Sequence, residues 1–436
     1  MSVAKIVQWI CHPRYRRFLK NLEKPFQVQL ELQKMLSPNR PWQDLPIVTY
    51  SDIEATLHCQ RYVETSGTSH KCKKIPMTSL LLGSFTSLFK IWAADLLQYT
   101  LKPPVGKVFM SLSPPGAASS IKDDTHYLNP LLRWILRPFL IIPAPDPDGY
   151  LERVAITLKQ AKDLSIIAIW NPSYLMRLMD LIEAQEPCTD WKQIWPNLQL
   201  ISCWADGWAK GQAEVLRKRL PHVILQGKGL LATEGPLTVP LWNAPAPVPL
   251  IDEVYFEFED EYGNIFTLEE IQDGHSYELI ISQKGGLLRY RIGDKILVSG
   301  KFHNTPCLTF LGRAQVCDMV GEKLDALLVE KALKDSMGPI WVLIPFYRDN
   351  GPCRYVLLAE LPTDQNQIEQ GLQQIFHYKA ARRAGQLEPV EIQVVSSLDE
   401  RLHFFFQEKG LNWGDIKGTH LITDLSIAGQ LIRNFS

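Results

Sequence analysis

Apolar and polar positions along the chain follow two different periods, and the change between them divides the sequence. In the first 60 residues, the segment FQVQLELQKML carries an apolar stripe at helical spacing. The segment PIVTYSDI predicts the end of a strand followed by a helix that begins at Ser51 or Asp52. Residues 77–99, MTSLLLGSFTSLFKIWAADLLQY, are long and apolar enough to predict a buried helix.

Short apolar runs then alternate with amphipathic segments. KVFMSLSPP and LSIIAIWNP end in turn signals and fit buried strands, and YLERVAITLKQAKDL between them has the helical period. A strand at 198–204 and the helical segment GQAEVLRKRLP continue the alternation. This order favours an α/β core.

From about residue 250 to 312, strand-like runs are separated by the hairpin turns YGN, DGH and KGG, which predicts a barrel-like antiparallel sheet. After a new helix in GEKLDALLVEKALKD, the order β-β-α-β predicts a smaller α+β domain. We therefore expect an α/β fold with a large domain at 1–315, a smaller domain at 322–436 and a boundary near 314–321.

Composition narrows the classes of partner. A chain of 436 residues is too long for a single hydrophobic core. Its 46 Lys and Arg residues balance its 47 Asp and Glu residues, so no net charge attracts nucleic acid or an anionic membrane. Neither is expected as a partner, so any anion site must be local. Eight scattered cysteines without a C-x-x-C pair indicate a reducing, cytoplasmic location. The first 20 residues fit an amphipathic helix better than a signal peptide, and SLLLGSFTSLF is too short to cross a bilayer.

The segment YVETSGTSHKCKKIP, residues 62–76, combines hydroxyls, a glycine and lysines. Backbone N–H groups, hydroxyl donors and ammonium groups all favour a phosphate. A polar surface turn has the same composition, and the segment matches no P-loop, so alone it leaves both interpretations open. The candidate phosphate ligands are Thr65, Ser66, Gly67, Thr68, Ser69 and Lys74.

Two later segments, LLATEG at 230–235 and RYRIGD at 289–294, add candidate ligands. Thr233 is placed to donate to an α-phosphate, Glu234 to hold Mg²⁺, and Asp294 to accept both ribose hydroxyls. Each segment alone is more often a turn or a charged strand edge. Their order after the hydroxyl-rich loop favours an enzyme that activates a carboxylate with ATP.

A fourth candidate lies in LNWGDIKGTHLITD, where glycines flank Lys417. A lysine there would stabilise the charge of a phosphoryl-transfer transition state. Taken alone, a solvated lysine is the commoner explanation.

Together these segments resemble the auxin-responsive (Gretchen Hagen) family of acyl-acid amido synthetases, part of the adenylate-forming superfamily that includes acyl-CoA synthetases. The hydroxyl-rich loop through Pro76 resembles the family pattern S-S-G-T-S-x-G-x-x-K-x-x-P, and GLLRYRIGD resembles G-L-Y-R-Y-R-x-G-D. YFEF at 255–258, Phe310–Arg313 and IFHYKAARRAGQLEP at 375–389 resemble further family segments. DIKGTH then places Lys417 at the family's C-terminal-domain lysine. The resemblance runs from about residue 45 to the end.

Some positions depart from the family pattern. Lys71 replaces the second loop glycine, Leu230 replaces a frequent aromatic residue, and Lys284 and Leu288 replace aromatics of the acyl pocket. The identity of the substrate acid therefore cannot be inferred from the acids that members of the family use. For an acid with a ring, the candidate pocket residues are Phe85, Phe89 and Trp204, although core packing is the commoner role of such side chains.

The resemblance implies a ligase that converts a carboxylic acid to acyl-AMP and then transfers the acyl group to an amine, with an amino acid as the favoured acceptor. It implies ATP and Mg²⁺ as cofactors, with Glu234 as the metal ligand and Lys417, Glu234 and Thr233 as the catalytic residues. It assigns the nucleotide to the loop residues, Thr233, Asp294 and Arg313, and implies a mobile C-terminal domain with a hinge near Arg313 to Glu322. A monomer is compatible with this scheme.

Two other functions remain open. An acyl-CoA ligase would share adenylation but use a thiol acceptor. A nucleotide-binding protein without turnover would explain the departures at Lys71 and Leu230.

Overall fold

The computed structural model describes residues 3–54, 62–65, 73–110, 130–141, 149–186, 189–260, 262–313, 316–334, 336–338, 340–348, 351–408 and 420–435. The chain divides into two compact units. The large unit contains Lys73–Pro172, Leu178–Gly312 and the described residues up to Thr65. The small unit contains Ser173–Arg177 and the described residues from Arg313 onward. The mixed α/β class expected from the sequence is confirmed.

The chain begins with α1 (Val3–Leu22), α2 (Pro25–Leu36) and the short α3 (Tyr50–Ile53). Helix α1 forms because its buried residues recur every three or four positions, at Val7, Cys11, Tyr15, Phe18 and Leu22. The predicted start of α3 at Ser51 or Asp52 is wrong. Thr49 is the N-cap, and its N–H donates to the Asp52 carboxylate at 2.7 Å, so Asp52 completes a capping box from inside the helix.

A hairpin of β1 (Tyr62–Thr65) and β2 (Lys73–Pro76) leads into α4 (Ser79–Asp95), which a π-helical turn extends through Leu96–Thr100. Among the described residues, the 22-residue stretch Ser79–Thr100 is long and apolar enough to cross a membrane, and 56% of its most apolar window is buried inside the structure. Core helices pass the same test, so length and composition are weak grounds for a membrane span.

A parallel sheet with strand order β4–β3–β5–β6–β7 follows. Strands β5 and β6 are buried along their whole length, which explains their unbroken apolar runs. The elements in chain order are β3 (Lys107–Met110), α5 (Pro130–Leu136), β4 (Leu140–Ile141), α6 (Tyr150–Gln160), β5 (Leu164–Ala168), α7 (Pro172–Gln185), α8 (Trp191–Ile194), β6 (Leu200–Cys203), α9 (Lys210–Arg219) and β7 (Ile224–Gly227).

Two small hairpins separate this sheet from an antiparallel one with strand order β13–β12–β14–β15–β16. Its closure into a barrel stays a prediction. The strands are β8 (Leu231–Ala232), β9 (Gly235–Pro236), β10 (Thr238–Val239), β11 (Val248–Pro249), β12 (Val254–Glu259), β13 (Ile265–Thr267), β14 (Ser276–Gln283), β15 (Tyr290–Phe302) and β16 (Thr305–Arg313).

The small unit has a sheet of order β19–β20–β21, antiparallel and then parallel. Its elements are β17 (Val316–Cys317), β18 (Leu324–Asp325), α10 (Ala326–Leu333), β19 (Trp341–Phe346), β20 (Arg354–Ala359), α11 (Gln365–Leu372), α12 (Phe376–Arg383), β21 (Glu391–Val394), α13 (Leu398–Glu408) and α14 (Leu425–Phe435).

The sequence predicted one helix where α11 and α12 are separate. The N–H groups of Gln374 and Ile375 bond to the carbonyls of Gly371 and Leu372, three residues back, at 3.0 and 2.9 Å. This tight turn interrupts the α-helical ladder. Gly371 also lies against α10, where a Cβ atom would approach the Ala332 carbonyl to 2.6 Å. Tertiary packing thus overrides the continuous helical pattern.

Candidate active site

The hydroxyl-rich segment connects the two strands of the β1–β2 hairpin. Thr65 is opposite Lys73 in the ladder, and Lys74 is exposed on β2 with its N–H donating to the Tyr50 hydroxyl at 2.8 Å. The Thr65 side chain and the predicted ligands Ser66, Gly67, Thr68 and Ser69 lie outside the described residues, as does Lys71. Their assignment to phosphate stays a prediction.

Thr233 and Glu234 form the two-residue turn of the β8–β9 hairpin, in which Ala232 is opposite Gly235. Glu234 is only 4% exposed, yet it makes no hydrogen bond or ion pair within the part of the chain that the structure describes. A carboxylate on a residue this little exposed gains from a cation or from hydrogen-bond donors nearby. The position therefore suits a ligand that brings positive charge.

The hairpin is fixed in place on both sides. A Cβ atom on Gly235 would lie 4.0 Å from the side chains of Val254 and Gln283, at the ends of β12 and β14. Leu230 is buried, and its N–H donates to the Thr238 hydroxyl at 2.7 Å. Glu234 thus projects from a rigid turn rather than from a loose loop.

Asp294 lies in an irregularity of β15. Arg291 is opposite Ile280 and Lys295 is opposite Glu278, so residues 292–294 face the single residue Leu279. Gly293 has a φ of +83°, which a side chain would strain, and this bulge changes the alternation of the strand. Asp294 is 3% exposed. Bulges of this kind re-aim side chains beside functional sites.

The two arginines of RYRIGD form ion pairs with the protein itself. Arg289 donates to Glu257 at 3.0 and 2.8 Å, and Arg291 donates to Glu259 at 2.8 and 2.7 Å. The alternative of an exposed, charged strand edge does not describe Arg289, whose side chain is 13% exposed. The N–H of Arg291 also donates to the Val48 carbonyl at 2.8 Å, which ties the N-terminal segment to β15.

The three described motif segments share one core. Ile75 after the hydroxyl-rich loop, Leu230 before Thr233, and Tyr290 before Asp294 belong to the same buried hydrophobic cluster of the large unit. Packing therefore anchors all three segments in one unit, although Ile75 and Tyr290 are more than 200 residues apart in the chain.

Sequence reasoning missed two residues at the carboxyl edge of the parallel sheet. Trp170 follows β5, Trp204 follows β6 and Lys228 follows β7. The indole rings are 5.5 Å apart at 70°, and the Lys228 ammonium lies 5.4 Å from the Trp170 ring centre. Ligands of open α/β sheets bind at this edge. The signal that could have found Trp170 and Lys228 is their position just after strands of the parallel sheet.

Asp206, two residues after Trp204, adds a half-buried carboxyl group to this edge. Burial raises its pKa, and the positive charge of Lys210 opposes the rise.

The predicted acyl-pocket residues have structural partners. Phe85 is buried with Met77 and Leu81, and Phe89 packs against the main core. The Lys284 ammonium donates to the Glu253 carboxylate at 2.8 Å and to the Asp252 carbonyl at 2.9 Å. Lys284 therefore neutralises a buried acid.

The remaining predicted residues belong to the small unit. Arg313 ends β16, but its side chain lies outside the described residues, as does Lys417. Among the described residues, no group of three or more His, Cys, Asp and Glu side chains could hold a metal ion. A magnesium ion bound mainly by phosphates needs only one or two protein carboxylates, so Glu234 still fits it.

Two segments match domains of one protein family. Residues 248–313 match the GH3 family central domain, and residues 332–426 match the GH3 family C-terminal domain. The chain is 31% identical to indole-3-acetic acid-amido synthetase GH3.5 of Arabidopsis thaliana over 66% of this chain and 50% of that enzyme. It is 27% identical to the 4-substituted benzoates-glutamate ligase GH3.12 of Arabidopsis thaliana over 37% of this chain and 34% of that enzyme. The chain spans about half the length of the curated relatives it matches.

Solved structures share the fold. The AtGH3.15 acyl acid amido synthetase in complex with 2,4-DB aligns with a TM-score of 0.56 at 19% identity, over 100% of this chain and 94% of that one. A 2-hydroxyisobutyryl-CoA ligase in complex with 2-HIB-AMP and CoA aligns with a TM-score of 0.54 at 13% identity, over 93% and 91% of the two chains. Two segments of the chain therefore match GH3 family domains, the chain is similar in sequence to GH3 amido synthetases, and it shares the fold of the AtGH3.15 enzyme.

Proposed function

We propose that the protein is an ATP-dependent acyl-acid amido synthetase. In the first half-reaction an oxygen of the substrate carboxylate attacks the α-phosphorus of ATP, and pyrophosphate leaves with acyl-AMP as the other product. In the second, an amine attacks the acyl carbon, AMP leaves with the bonding electrons, and the amine loses a proton.

The observation that carries the proposal is Glu234, a residue only 4% exposed whose carboxylate has no hydrogen-bond or ion-pair partner in the described part of the chain. It sits at the tip of a hairpin fixed against the antiparallel sheet that bears Asp294. Glu234 would hold the magnesium ion that accompanies a nucleoside triphosphate, and the ion would supply the positive charge that this carboxylate lacks and that the phosphates need. Thr233, half-buried beside Glu234, would donate to the α-phosphate.

The other roles follow from the same placement. Asp294 would accept the ribose hydroxyls from its bulge in β15. Residues 65–69 with Lys74 would hold the outer phosphates, Arg313 would contact the nucleotide, and Lys417 would act on the α-phosphate. The small unit would move about a hinge near Arg313 to Glu322, which would exclude water from acyl-AMP between the two half-reactions.

Names of the relatives support the substrate classes. One is an indole-3-acetic acid-amido synthetase and another joins 4-substituted benzoates to glutamate. We therefore propose a small carboxylic acid and an amino acid as substrates, in the cytoplasm and with a monomer sufficient for activity. The paired indoles of Trp170 and Trp204 offer an aromatic surface at the sheet edge, for either a ring-bearing acid or the adenine base.

A thiol acceptor is the second candidate, because the fold also matches a CoA ligase. Product analysis with amino acids and with coenzyme A in parallel separates the two: an acyl-amino acid supports the main proposal, and an acyl thioester supports the alternative.

The central experiment is acid-dependent exchange of labelled pyrophosphate into ATP, run across a panel of aromatic and aliphatic acids. Exchange that requires one of the acids supports adenylation. Absence of exchange with every acid, in protein that binds ATP, would favour a nucleotide-binding protein without turnover.

A further inference from the structure

The outward surface of α1 is strongly basic. Val3–Leu22 contains five Lys and Arg residues and no acidic residue, in a chain whose formal net charge is −1. Exposed residues recur at 5, 9, 13, 16 and 20, a spacing that places them on one side of a helix. We call Lys5, Trp9, Pro13, Arg16, Arg17 and Lys20 the basic face.

The basic face is not needed for packing. The opposite side of α1 buries Cys11, Tyr15 and Phe18 in the core. The remaining cation, Arg14, points to that side and pairs with Asp252 and Glu253.

The cations of the basic face are unpaired in the part of the chain that the structure describes: Lys5, Arg16, Arg17 and Lys20 form no ion pair there. Acids near α1 are already engaged, Asp252 and Glu253 with Arg14, and Glu23 with His303 at 2.6 Å. The positive charge therefore remains available to an external anion.

Trp9 lies among these cations and is 75% exposed. Indole combines a large apolar surface with one N–H donor, which suits a boundary between water and hydrocarbon. The following helix adds exposed apolar side chains one turn apart, Phe26 and Leu30, at 37% and 49% exposure. Cations surrounding an exposed indole are typical of helices that lie on lipid headgroups.

We propose that the basic face docks the protein on an anionic lipid surface. From Lys5 to Lys20 the face spans about 22 Å on a convex helix, so a flat surface can touch all of it at once. A convex surface offers no groove for an extended peptide, and a planar layer of phosphates and carboxylates matches its charge. The overall net charge of the chain predicts no membrane partner. Docking through the basic face depends instead on the charges that lie within one Debye length of the lipid surface.

The test uses the full chain and flotation with phosphatidylcholine vesicles, with and without phosphatidylserine. We expect binding only to the vesicles with phosphatidylserine, and weaker binding at high salt. The double variant Arg16→Gln with Arg17→Gln lowers the partition coefficient about 30-fold, which is the expected loss for two surface cations. Trp9→Ala lowers it at low and high salt alike, because its contribution is not electrostatic.

Matched controls separate this face from general surface properties. Trp134 is 74% exposed, so Trp134→Ala removes an equally exposed indole. Lys331→Gln with Lys334→Gln removes two exposed cations of the small unit. Both controls keep the wild-type partition coefficient, and all variants keep the wild-type circular dichroism spectrum.

Three results would overturn the proposal: no binding to phosphatidylserine vesicles, equal binding to neutral vesicles, or wild-type binding by the α1 variants. Tighter binding to duplex DNA than to vesicles would assign the face to nucleic acid instead.

Discussion

Arg289 and Glu257 form a two-bond ion pair across β14, although β12, which bears Glu257, and β15, which Arg289 immediately precedes, are not neighbours. The Arg289 Nε and Nη2 atoms lie 3.0 and 2.8 Å from the two Glu257 oxygens. Glu257 is opposite Ile280 on β14, and Ile280 is opposite Arg291 on β15. The pair therefore clamps the start of the strand that carries Asp294.

Removing Arg289 should destabilise the protein strongly. Glu257 is 4% exposed, and Arg289→Ala would leave its charge buried without a partner, a cost of about 3–5 kcal/mol in the free energy of unfolding. Arg291→Ala is the matched control, because its pair with Glu259 is more exposed and should contribute less. Urea unfolding measures both. If Arg289→Ala instead kept wild-type stability and lost ATP binding, Arg289 would be a substrate ligand.

The ion pairs show which features sequence patterns can predict. Alternating apolar residues and the turns YGN, DGH and KGG predicted the strands around Arg289, because period and turn chemistry are local properties. The partner of Arg289 lies 32 residues earlier on a strand that is not adjacent, and no local pattern carries that information.

The same limit explains the other differences. Asp52, three residues on, completes the capping box of Thr49, and the break between α11 and α12 occurs where Gly371 lies against α10. The residue types and the order of their segments along the sequence identified Glu234 and Asp294 as candidate ligands. Their burial depends on a hairpin fixed against another sheet and on a bulge, which are tertiary features.

Asp294→Ala should raise the KM for ATP about 10- to 100-fold, because one charged acceptor for the ribose hydroxyls is lost. The measurement is the exchange rate as a function of ATP concentration. 2′-Deoxy-ATP provides the matched control: the wild-type protein should bind it more weakly than ATP, and the variant should lose most of that discrimination. If the wild type and Asp294→Ala prefer ATP over 2′-deoxy-ATP to the same degree, Asp294 does not bind the ribose hydroxyls.

Glu234→Gln should have opposite effects on stability and on activity. The variant keeps the size of the side chain but removes the charge of a residue that is 4% exposed and has no described partner, so the ligand-free protein should unfold at a higher urea concentration. The adenylation rate should fall, and the concentration of Mg²⁺ needed for half-maximal exchange should rise. A variant with unchanged Mg²⁺ dependence would show that Glu234 is not the metal ligand.

Lys417→Ala should slow adenylation more than it weakens ATP binding, because the charge of this lysine matters mainly in the transition state. We expect kcat for exchange to fall at least tenfold with the KM for ATP nearly unchanged. Lys331→Ala, at an exposed position of α10, is the control for loss of a cation from the small unit. A large rise in KM at constant kcat would instead make Lys417 a ground-state ligand.

Glu322 is a buried carboxyl group in the turn between β17 and β18. It accepts the N–H groups of Met319 and Val320 at 2.8 and 2.7 Å and the Tyr355 hydroxyl at 2.5 Å. Burial raises its pKa from 4.5 to about 7, the charge of Asp318 adds to the rise, and the hydrogen bonds oppose it.

The shift predicts how stability depends on pH. Because the pKa of Glu322 is higher in the folded than in the unfolded protein, protonation of Glu322 stabilises the fold. This stabilisation is complete below pH 4.5 and is lost as pH rises through about 7. The loss is on the order of 3 kcal/mol in the free energy of unfolding. Glu322→Gln should abolish this part of the dependence and be more stable than the wild type above pH 7, as measured by urea unfolding across the range.

Tyr355→Phe offers a second test of the same group. The hydrogen bond from the Tyr355 hydroxyl lowers the pKa of Glu322. Loss of this bond should raise that pKa, so the stabilisation by protonated Glu322 should persist to a higher pH. Tyr262→Phe, at a position that is 81% exposed, is the matched control and should keep the wild-type window. If Glu322→Gln kept the wild-type dependence between pH 4.5 and 7, the titrating group would lie elsewhere in the chain.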